Sequence, residues 1–171
     1  PHANELDNVC RKELGNRTNI TGDKDTPVKL GVLELSTRAC KALVVDVRNL
    51  RYGFRWSAAQ NKSHITELGH LINQDNEIPW VEFEKLVLPK IEQAISFIKD
   101  EGADVFDCVA TAALRDAKNR DEISDKLKET LDLNIQILDP DQEADATFTG
   151  YRWSPPHDLT DNTVLVDQGG G

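Results

Sequence analysis

The sequence has no long hydrophobic run. None of its apolar stretches approaches the roughly 18 to 20 residues that a membrane-spanning helix needs, and no apolar signal-peptide segment follows the N-terminus. The hydrophobic share of 39% is ordinary for a globular chain of 171 residues. We therefore expect a soluble, cytoplasmic protein without a membrane partner.

Cysteine is also scarce. The three cysteines, Cys10, Cys40 and Cys108, form no CxxC pair and have no histidine at metal-ligand spacing. This distribution argues against both a disulfide framework and a zinc site. We expect three free thiols.

Positive charge is in deficit, because the formal net charge is −10. Long-range electrostatics would repel a polyanion, so a polyanionic substrate would need a locally basic pocket. The run RNLRYGFRW at 48–56 is basic with interleaved aromatic residues. It either stacks on nucleic acid or forms the two faces of an edge strand. We favour the edge strand and expect no nucleic-acid partner.

The chain changes character after residue 27. Residues 1–27 are polar and charged, which predicts an N-terminal extension with a short helix outside the main fold. The apolar runs LGVLEL and KALVVDV, separated by STRAC, are typical of an antiparallel hairpin. A third strand at 54–59 would complete a small meander.

Helical periodicity begins at Pro79. The segment WVEFEKLVLPKIEQAISFIKD predicts a long amphipathic helix. Pro89 should kink or restart this helix, and Gly102 should end it. Beyond it, strand and helix patterns alternate along DVFDCVAT, DEISDKLKETL, LNIQILD, PDQEADATFTGYRW and TVLVD. Asp139 and Gln142 predict a capping box at the start of the last helix.

This alternation predicts the fold class. An α/β domain with an antiparallel meander, followed by parallel strands with crossover helices, accounts for the order of the elements. In such a sheet, ligands gather at the carboxyl ends of the strands. The candidate site residues are therefore the polar residues that follow the predicted strands.

The last predicted strand leads into Asp167 and then into Gly169, Gly170 and Gly171. Successive glycine N–H groups can bind a phosphate, and a carboxylate at a strand tip can hold Mg²⁺. The other interpretation is a tight turn. The glycines alone do not distinguish the two.

Two further candidates follow earlier strands. Arg115, after VATAAL, stands at a predicted helix start and either binds phosphate through its guanidinium or pairs on the surface with Asp116 or Asp121. Glu143 lies in the first turn of a helix. It either acts as a general base towards water or only complements the helix dipole.

Taken together, the segments VATAALRDAKNRDEI, LNIQILDPDQEADATFTGYRW and TVLVDQGGG resemble the exopolyphosphatase and guanosine pentaphosphate phosphohydrolase (Ppx/GppA) family. The family shows Ala-Thr-x-Ala-Leu-Arg-x-Ala-x-Asn, then Glu-Glu-Ala, then Asp-x-Gly-Gly-Gly-Ser, and ELGHL looks like its Leu-Gly turn. The resemblance runs from about residue 30 to the end. It implies the actin-like, hexokinase-type phosphotransfer fold of two ribonuclease-H-like domains, with the active site in the cleft between them.

The resemblance also implies roles for individual residues. Enzymes of the family use Mg²⁺ to hydrolyse the terminal phosphoanhydride bond of inorganic polyphosphate or guanosine pentaphosphate. Glu143 matches the general base that activates water, and Asp167 matches the carboxylate that positions metal and water. The matches to the phosphate-binding residues are Arg115, Asn119, Gly169 and Gly170.

One loop departs from the family pattern. The first phosphate loop of the family reads Asp-x-Gly-Ser-Asn-Ser, and the matching stretch here is ELSTRAC. Glu34 replaces the aspartate as the second candidate metal ligand, and Ser36 replaces the glycine, which removes backbone freedom where a phosphate must approach. Thr37 and Arg38 are the candidate phosphate-binding residues of this loop, with Arg38 supplying its own charge.

Two functional interpretations follow. The first is an exopolyphosphatase-type hydrolase, and the second is a degenerate member that binds polyphosphate or a nucleotide without turnover. We place the first ribonuclease-H-like domain at 28–160 and the opening strand and phosphate-loop start of a second domain at 161–171. With half of the cleft missing, we expect the 171-residue chain to bind phosphate weakly and to show no appreciable hydrolase activity. The sequence is also compatible with a homodimer.

Overall fold

A computed structural model describes residues 28–50, 53–103, 105–153 and 164–166 of the chain. The predicted N-terminal extension at 1–27 lies outside these residues, as do the stretch 167–171 and Cys10. The predicted domain boundaries therefore remain predictions. In the described part of the chain, no helix is long and apolar enough to cross a membrane.

The described residues form a five-stranded sheet with the strand order β3-β2-β1-β4-β5. The strands are β1 (Val28–Leu35), β2 (Ala39–Leu50), β3 (Gly53–Ile65), β4 (Val105–Ala110) and β5 (Gln136–Ile137). Strands β1, β2 and β3 pair antiparallel, whereas β4 pairs parallel to both β1 and β5. The predicted meander followed by parallel strands is confirmed, and β3 and β5 lie at the two edges of the sheet. The run 48–56 was predicted as a single edge strand, but its described residues divide between the end of β2, an inner strand, and the start of β3.

The turn between β1 and β2 is the STRAC segment, as predicted. Ser36 N donates to Ala39 O at 2.9 Å, and the Ser36 hydroxyl donates to the same oxygen at 2.9 Å. Side chains alternate along β1, so that Leu33 and Leu35 are fully buried while Glu34 between them is only partly covered. Glu34 therefore lies on the sheet face opposite the one that carries these two leucines.

The helical segment after Pro79 divides at its internal proline, as predicted. Helix α1 (Trp80–Leu86) ends before Val87, and α2 (Leu88–Asp100) begins with Pro89 in its first turn, where the missing N–H breaks no helical hydrogen bond. Gly102, at φ 72°, ends α2. Gly102 N donates to Lys99 O and Ala103 N donates to Ile98 O, the hydrogen bonds of a Schellman motif.

The core lies between one face of the sheet and these helices. The largest fully buried side chains are Phe83, Leu33, Leu35, Leu68, Ile78, Ile91, Ile98, Leu114, Ile123, Leu127, Val87 and Cys40. The two cysteines within the described residues, Cys40 and Cys108, are free thiols buried in this core, as predicted. Burial raises the pKa of both thiols, that of Cys40 to about 12.

The second half of the fold contains a short helix that the sequence did not predict. Helix α3 (Ala112–Asp116) follows β4 directly, and α4 (Arg120–Leu131) and α5 (Pro140–Trp153) match the predicted helices. The predicted capping box is confirmed at α5. Gln142 N donates to Asp139 Oδ1 at 2.8 Å, and Asp139 N donates to Gln142 Oε1 at 3.0 Å.

Two predicted strands differ in the structure. The segment LNIQILD forms a ladder only at β5, although Leu133 and Leu138 on either side of it are buried. Its apolar pattern therefore reflects packing rather than strand pairing. Residues 164–166 of TVLVD belong to no strand, and Val164 and Val166 are 84% and 83% exposed. A high strand propensity does not by itself make these residues a strand, because no described strand lies beside them to pair with their backbone.

Candidate functional site

The carboxyl ends of β1, β4 and β5 lie side by side. Thr111 N donates to Leu35 O at 3.2 Å, and Leu138 N donates to Ala110 O at 2.9 Å. These bonds continue the parallel ladders by one residue beyond the strands. The loops that leave the three strands therefore start at one edge of the sheet, which is where ligands of α/β sheets gather.

At this edge the structure brings together Arg115 and Glu143. Arg115 Nη1 donates to Glu143 Oε2 at 2.8 Å and to Leu138 O at 3.1 Å, while its Nε lies 3.4 Å from Asp116 Oδ1. The Arg115 side chain is only 18% exposed. The hydrogen bond that Arg115 donates to Glu143 is the largest influence that raises the pKa of Arg115, so the guanidinium stays charged.

The position of Arg115 differs from the sequence expectation in one respect. The residue lies in the last turn of α3 and not at a helix start, because the short helix that precedes it was not predicted. Of the two surface partners considered, Asp116 makes the ion pair. The partner that the sequence could not identify is Glu143, which lies 28 residues further along the chain.

The start of α5 holds Glu143 in place. The capping box fixes the first turn of the helix, and Glu143 N donates to Asp139 O at 2.9 Å. The carboxylate lies in this first turn, close to the positive end of the helix dipole. The capping residues therefore determine where the carboxylate meets Arg115.

Glu143 and Glu34 line the same cavity. It has a volume of about 550 Å³ and lies between the sheet face that carries Glu34 and helix α5. Lys41 Nζ donates to both carboxylate oxygens of Glu34, at 3.2 and 3.3 Å, across the β1–β2 pair. The cavity thus contains two carboxylates, and each is paired with a cation.

Sequence reasoning missed Lys41, although a signal was available. In an antiparallel hairpin, residues at matching distances from the turn lie opposite each other. The predicted STRAC turn would have placed Lys41 opposite Glu34, which is the register of the structure.

A second, smaller cavity of about 330 Å³ lies beside the β1–β2 turn. Its lining residues are Thr37, Arg38, Glu67, Gly69 and His70, the last three from ELGHL. Glu67 Oε1 lies 3.8 Å from Arg38 Nη2, and Glu67 Oε2 lies 3.8 Å from His70 Nδ1. Of the candidate phosphate-binding residues, Thr37 and Arg38 therefore line a different cavity from the one that Glu143 lines.

Backbone hydrogen bonds tie the turn to the segment 66–69. Thr66 N and Glu67 N both donate to Arg38 O, at 2.9 and 3.0 Å, and Gly69 N donates to Thr37 O at 2.9 Å. A 3₁₀ helix (Leu68–Leu71) begins here. In the sequence, ELGHL was noted only for its resemblance to the Leu-Gly turn of the family. Its contact with the β1–β2 turn is a feature of the tertiary structure.

Asn119 contacts protein through both of its polar atoms. Its Oδ1 accepts from Ile78 N at 2.9 Å, and its Nδ2 donates to Ile78 O at 2.9 Å. The predicted phosphate-binding role of Asn119 stays a prediction. The structure does not place its amide in contact with Arg115 or Glu143.

The larger cavity is lined by two carboxylates, Glu34 and Glu143, and carboxylates are the side chains that Mg²⁺ prefers. Among the residues that the structure describes, no three histidine, cysteine or acidic side chains lie close enough to hold a metal together. Mg²⁺ is commonly bound by one or two carboxylates plus substrate phosphates and water. Glu34 is a candidate ligand of that kind, and a bound ion would have to displace Lys41 from its carboxylate. The other predicted ligand, Asp167, lies outside the described residues, as do Gly169 and Gly170.

Solved structures resemble this fold. The Aquifex aeolicus member of the Ppx/GppA protein family superposes with a TM-score of 0.61 at 16% identity, over 75% of this chain and 40% of that chain. An exopolyphosphatase from Cytophaga hutchinsonii gives a TM-score of 0.61 at 17% identity, over 75% and 39%. This likeness shows the fold, which is the actin-like ASKHA fold of Ppx/GppA proteins.

Sequence comparison extends this likeness. A bifunctional 3-dehydroquinate synthase/phosphatase from Fusobacterium nucleatum is 26% identical over 142 residues, which cover 81% of this chain and 21% of that protein. The chain therefore spans about a fifth of this curated relative and about two fifths of the similar structures. The sequence profile of the Ppx/GppA phosphatase family matches residues 53–171, more than half of the chain. The chain belongs to the Ppx/GppA phosphatase family.

Proposed function

We propose that this chain carries part of the active site of a phosphohydrolase that removes the terminal phosphate of inorganic polyphosphate or guanosine pentaphosphate. The observation that carries the proposal is the Arg115–Glu143 pair at the carboxyl edge of the parallel strands. A phosphate-binding cation next to a carboxylate that can accept a proton from water is what hydrolysis of a phosphoanhydride requires.

In the proposed reaction, a terminal phosphate binds to the Arg115 guanidinium and competes with Glu143 for it. Arg115 suits this role because a guanidinium binds two phosphate oxygens at once. Competition weakens the 2.8 Å contact and makes the Glu143 carboxylate available to a water molecule. The carboxylate accepts a proton as the water oxygen attacks phosphorus. The bridging P–O bond breaks, and the shortened polyanion leaves.

Mg²⁺ supplies charge neutralisation for the phosphate oxygens in this proposal. Glu34 is the described residue that would hold it, together with Asp167. Lys41 compensates the negative charge of Glu34 when no divalent ion is bound. The chain carries a formal net charge of −10, so these local cations matter for attracting a polyanion.

The test is phosphate release by the full-length protein in Mg²⁺, with polyphosphate and guanosine pentaphosphate as substrates. Glu143→Gln keeps the size of the side chain and removes the base, so we expect phosphate release to fall by about 10²-fold or more. Asp145→Asn is the matched control, because it removes an exposed carboxylate from the same helix and lines neither cavity. Glu143→Gln with the wild-type rate would refute the proposed base.

The second candidate function is binding without turnover, and the β1–β2 turn favours it. Arg38 lies in a cavity with Glu67, whose negative charge opposes a phosphate at that position. In this case the wild-type protein binds polyphosphate but releases no phosphate in Mg²⁺. Arg115→Ala then weakens binding, and Glu143→Gln strengthens it because the competing carboxylate is gone.

A further inference from the structure

Two loops that are distant in the sequence meet next to Arg115. The first loop, 73–78, precedes α1, and the second segment, 116–119, runs from the last residue of α3 to the start of α4. Four hydrogen bonds, here called the loop seam, join them: Asn76 Nδ2 to Asp116 O (2.7 Å), Lys118 N to Asn76 O (2.9 Å), Ile78 N to Asn119 Oδ1 (2.9 Å) and Asn119 Nδ2 to Ile78 O (2.9 Å).

The first side of the loop seam is anchored. Asn73 Oδ1 accepts hydrogen bonds from Asp75 N and Glu77 N, both at 2.9 Å, which close the loop on itself. Asn76 adopts a left-handed conformation at φ 63°. Ile78 is fully buried in the core. The loop therefore presents a fixed set of donors and acceptors to the second loop.

The second side depends on this anchor. Helix α3 has five residues and no side-chain cap, and a single helical turn is not stable by itself. Arg115 lies in its last turn, one residue before the carbonyl of Asp116 that accepts from Asn76. The backbone at Arg115 is therefore held in part by the contacts of residues 116–119, together with Arg120 Nη1, which donates to Arg115 O at 3.0 Å.

We propose that Asn119 and Asn76 are positioning residues for Arg115, and that Asn119 is not a phosphate ligand. The Asn119 amide is bound to Ile78 through both of its polar atoms, so its contribution reaches Arg115 through the backbone of α3. The loop seam holds the guanidinium against Leu138 O and Glu143 before any anion binds. The catalytic consequence rests on the proposed function, whereas the effect on Arg115 mobility does not.

The first experiment measures the mobility of the Arg115 side chain by ¹⁵N relaxation of its Nε in the labelled chain. We expect Asn119→Ala to lower the Nε order parameter from its wild-type value to below about 0.6, the range of flexible groups. Asn76→Gly should do the same. It folds without strain because glycine readily adopts a positive φ, so it carries the test if Asn119→Ala fails to fold.

The matched control is Ser124→Ala. This substitution removes a side-chain hydrogen bond of similar kind, Ser124 Oγ to Arg120 O at 2.8 Å, from α4 and outside the loop seam. It should leave the order parameter of Arg115 unchanged. The proposal is overturned if the loop-seam variants fold and Arg115 stays as rigid as in the wild type.

The second experiment is a double-mutant cycle on phosphate release by the full-length protein. We expect Asn119→Ala to lower kcat/KM by about 10-fold when Arg115 is present and by less than about 2-fold in an Arg115→Ala background. An equal loss in both backgrounds would indicate direct contact with the substrate and overturn the positioning role. If the wild type releases no phosphate, the proposed function fails, and the order parameter alone decides the role of the loop seam.

Discussion

Replacing Gly69 by alanine should strain the contact between the 3₁₀ helix and the β1–β2 turn. A Cβ atom built on Gly69 lies 2.6 Å from Thr37 Cγ2, whereas ordinary contacts begin at 3.4 Å. The same two residues share the hydrogen bond from Gly69 N to Thr37 O at 2.9 Å. The turn cannot move away without stretching this bond, and threonine is stiff at χ1. The added methyl group must therefore distort the turn.

The magnitude is the difference between two opposing effects. Overpacking by a methylene or methyl group costs about 1–3 kcal/mol. A change from glycine to alanine returns about 0.4–1 kcal/mol by restricting the unfolded chain, and Gly69 does not have the positive φ that would forbid alanine. The net expectation is a loss of about 1–2 kcal/mol. For a chain of this length, that lowers Tm by about 2–8 °C.

Urea and thermal unfolding of the wild type, Gly69→Ala, Thr37→Ser and the double variant measure this effect. Thr37→Ser removes the clashing Cγ2 and keeps the hydroxyl and the backbone hydrogen bond. The double variant Gly69→Ala with Thr37→Ser should therefore regain wild-type stability or slightly exceed it. If Gly69→Ala alone is neutral, or if serine fails to rescue it, the close approach of the two residues does not control the stability of this turn.

Two further predictions concern the core. Phe83→Ala, at a fully buried site, should lower the free energy of unfolding by about 3–5 kcal/mol, whereas Val81→Ala on the same helix, 70% exposed, should change it by less than about 0.5 kcal/mol. Equal losses in urea unfolding would contradict this packing. In a chain with Cys10 replaced by serine, Cys40 and Cys108 should react with a thiol reagent at pH 8 only in denaturant, because burial raises the pKa of both thiols. The folded state keeps protons that the unfolded state releases, so the free energy of unfolding should fall as pH rises above about 9. Fast labelling of the native chain, or stability that is flat up to pH 10, would be inconsistent with buried thiols.

Local features of the chain were predictable from sequence. The capping box of α5 depends on two residues three positions apart, Asp139 and Gln142, so its chemistry is complete within one helical turn. The restart at Pro89 and the helix end at Gly102 follow from the backbone limits of proline and glycine. The hairpin and the third strand of the meander followed from the apolar runs and from the turn residues.

The features that sequence reasoning missed depend on residues that are distant in the chain. Helix α3 has only five residues, too few for a periodic pattern to be recognised. Asn119 and Ile78 are 41 positions apart, so no sequence window contains both. The apolar run around β5 reads as a strand although only Gln136–Ile137 pairs, since burial and strand pairing produce the same pattern.

The candidate site also has features that the sequence predicted and features that it did not. The residue types of the site, an arginine after one strand and a glutamate in the first turn of a helix, could be read from the sequence because each follows a local signal. Their pairing at 2.8 Å could not, because it depends on β4 and β5 lying side by side and on the angles at which α3 and α5 leave the sheet. The sequence by itself determined which side chains follow the strands. Only the tertiary structure decided which of them meet, because contacts between distant residues are set by the packing of whole elements.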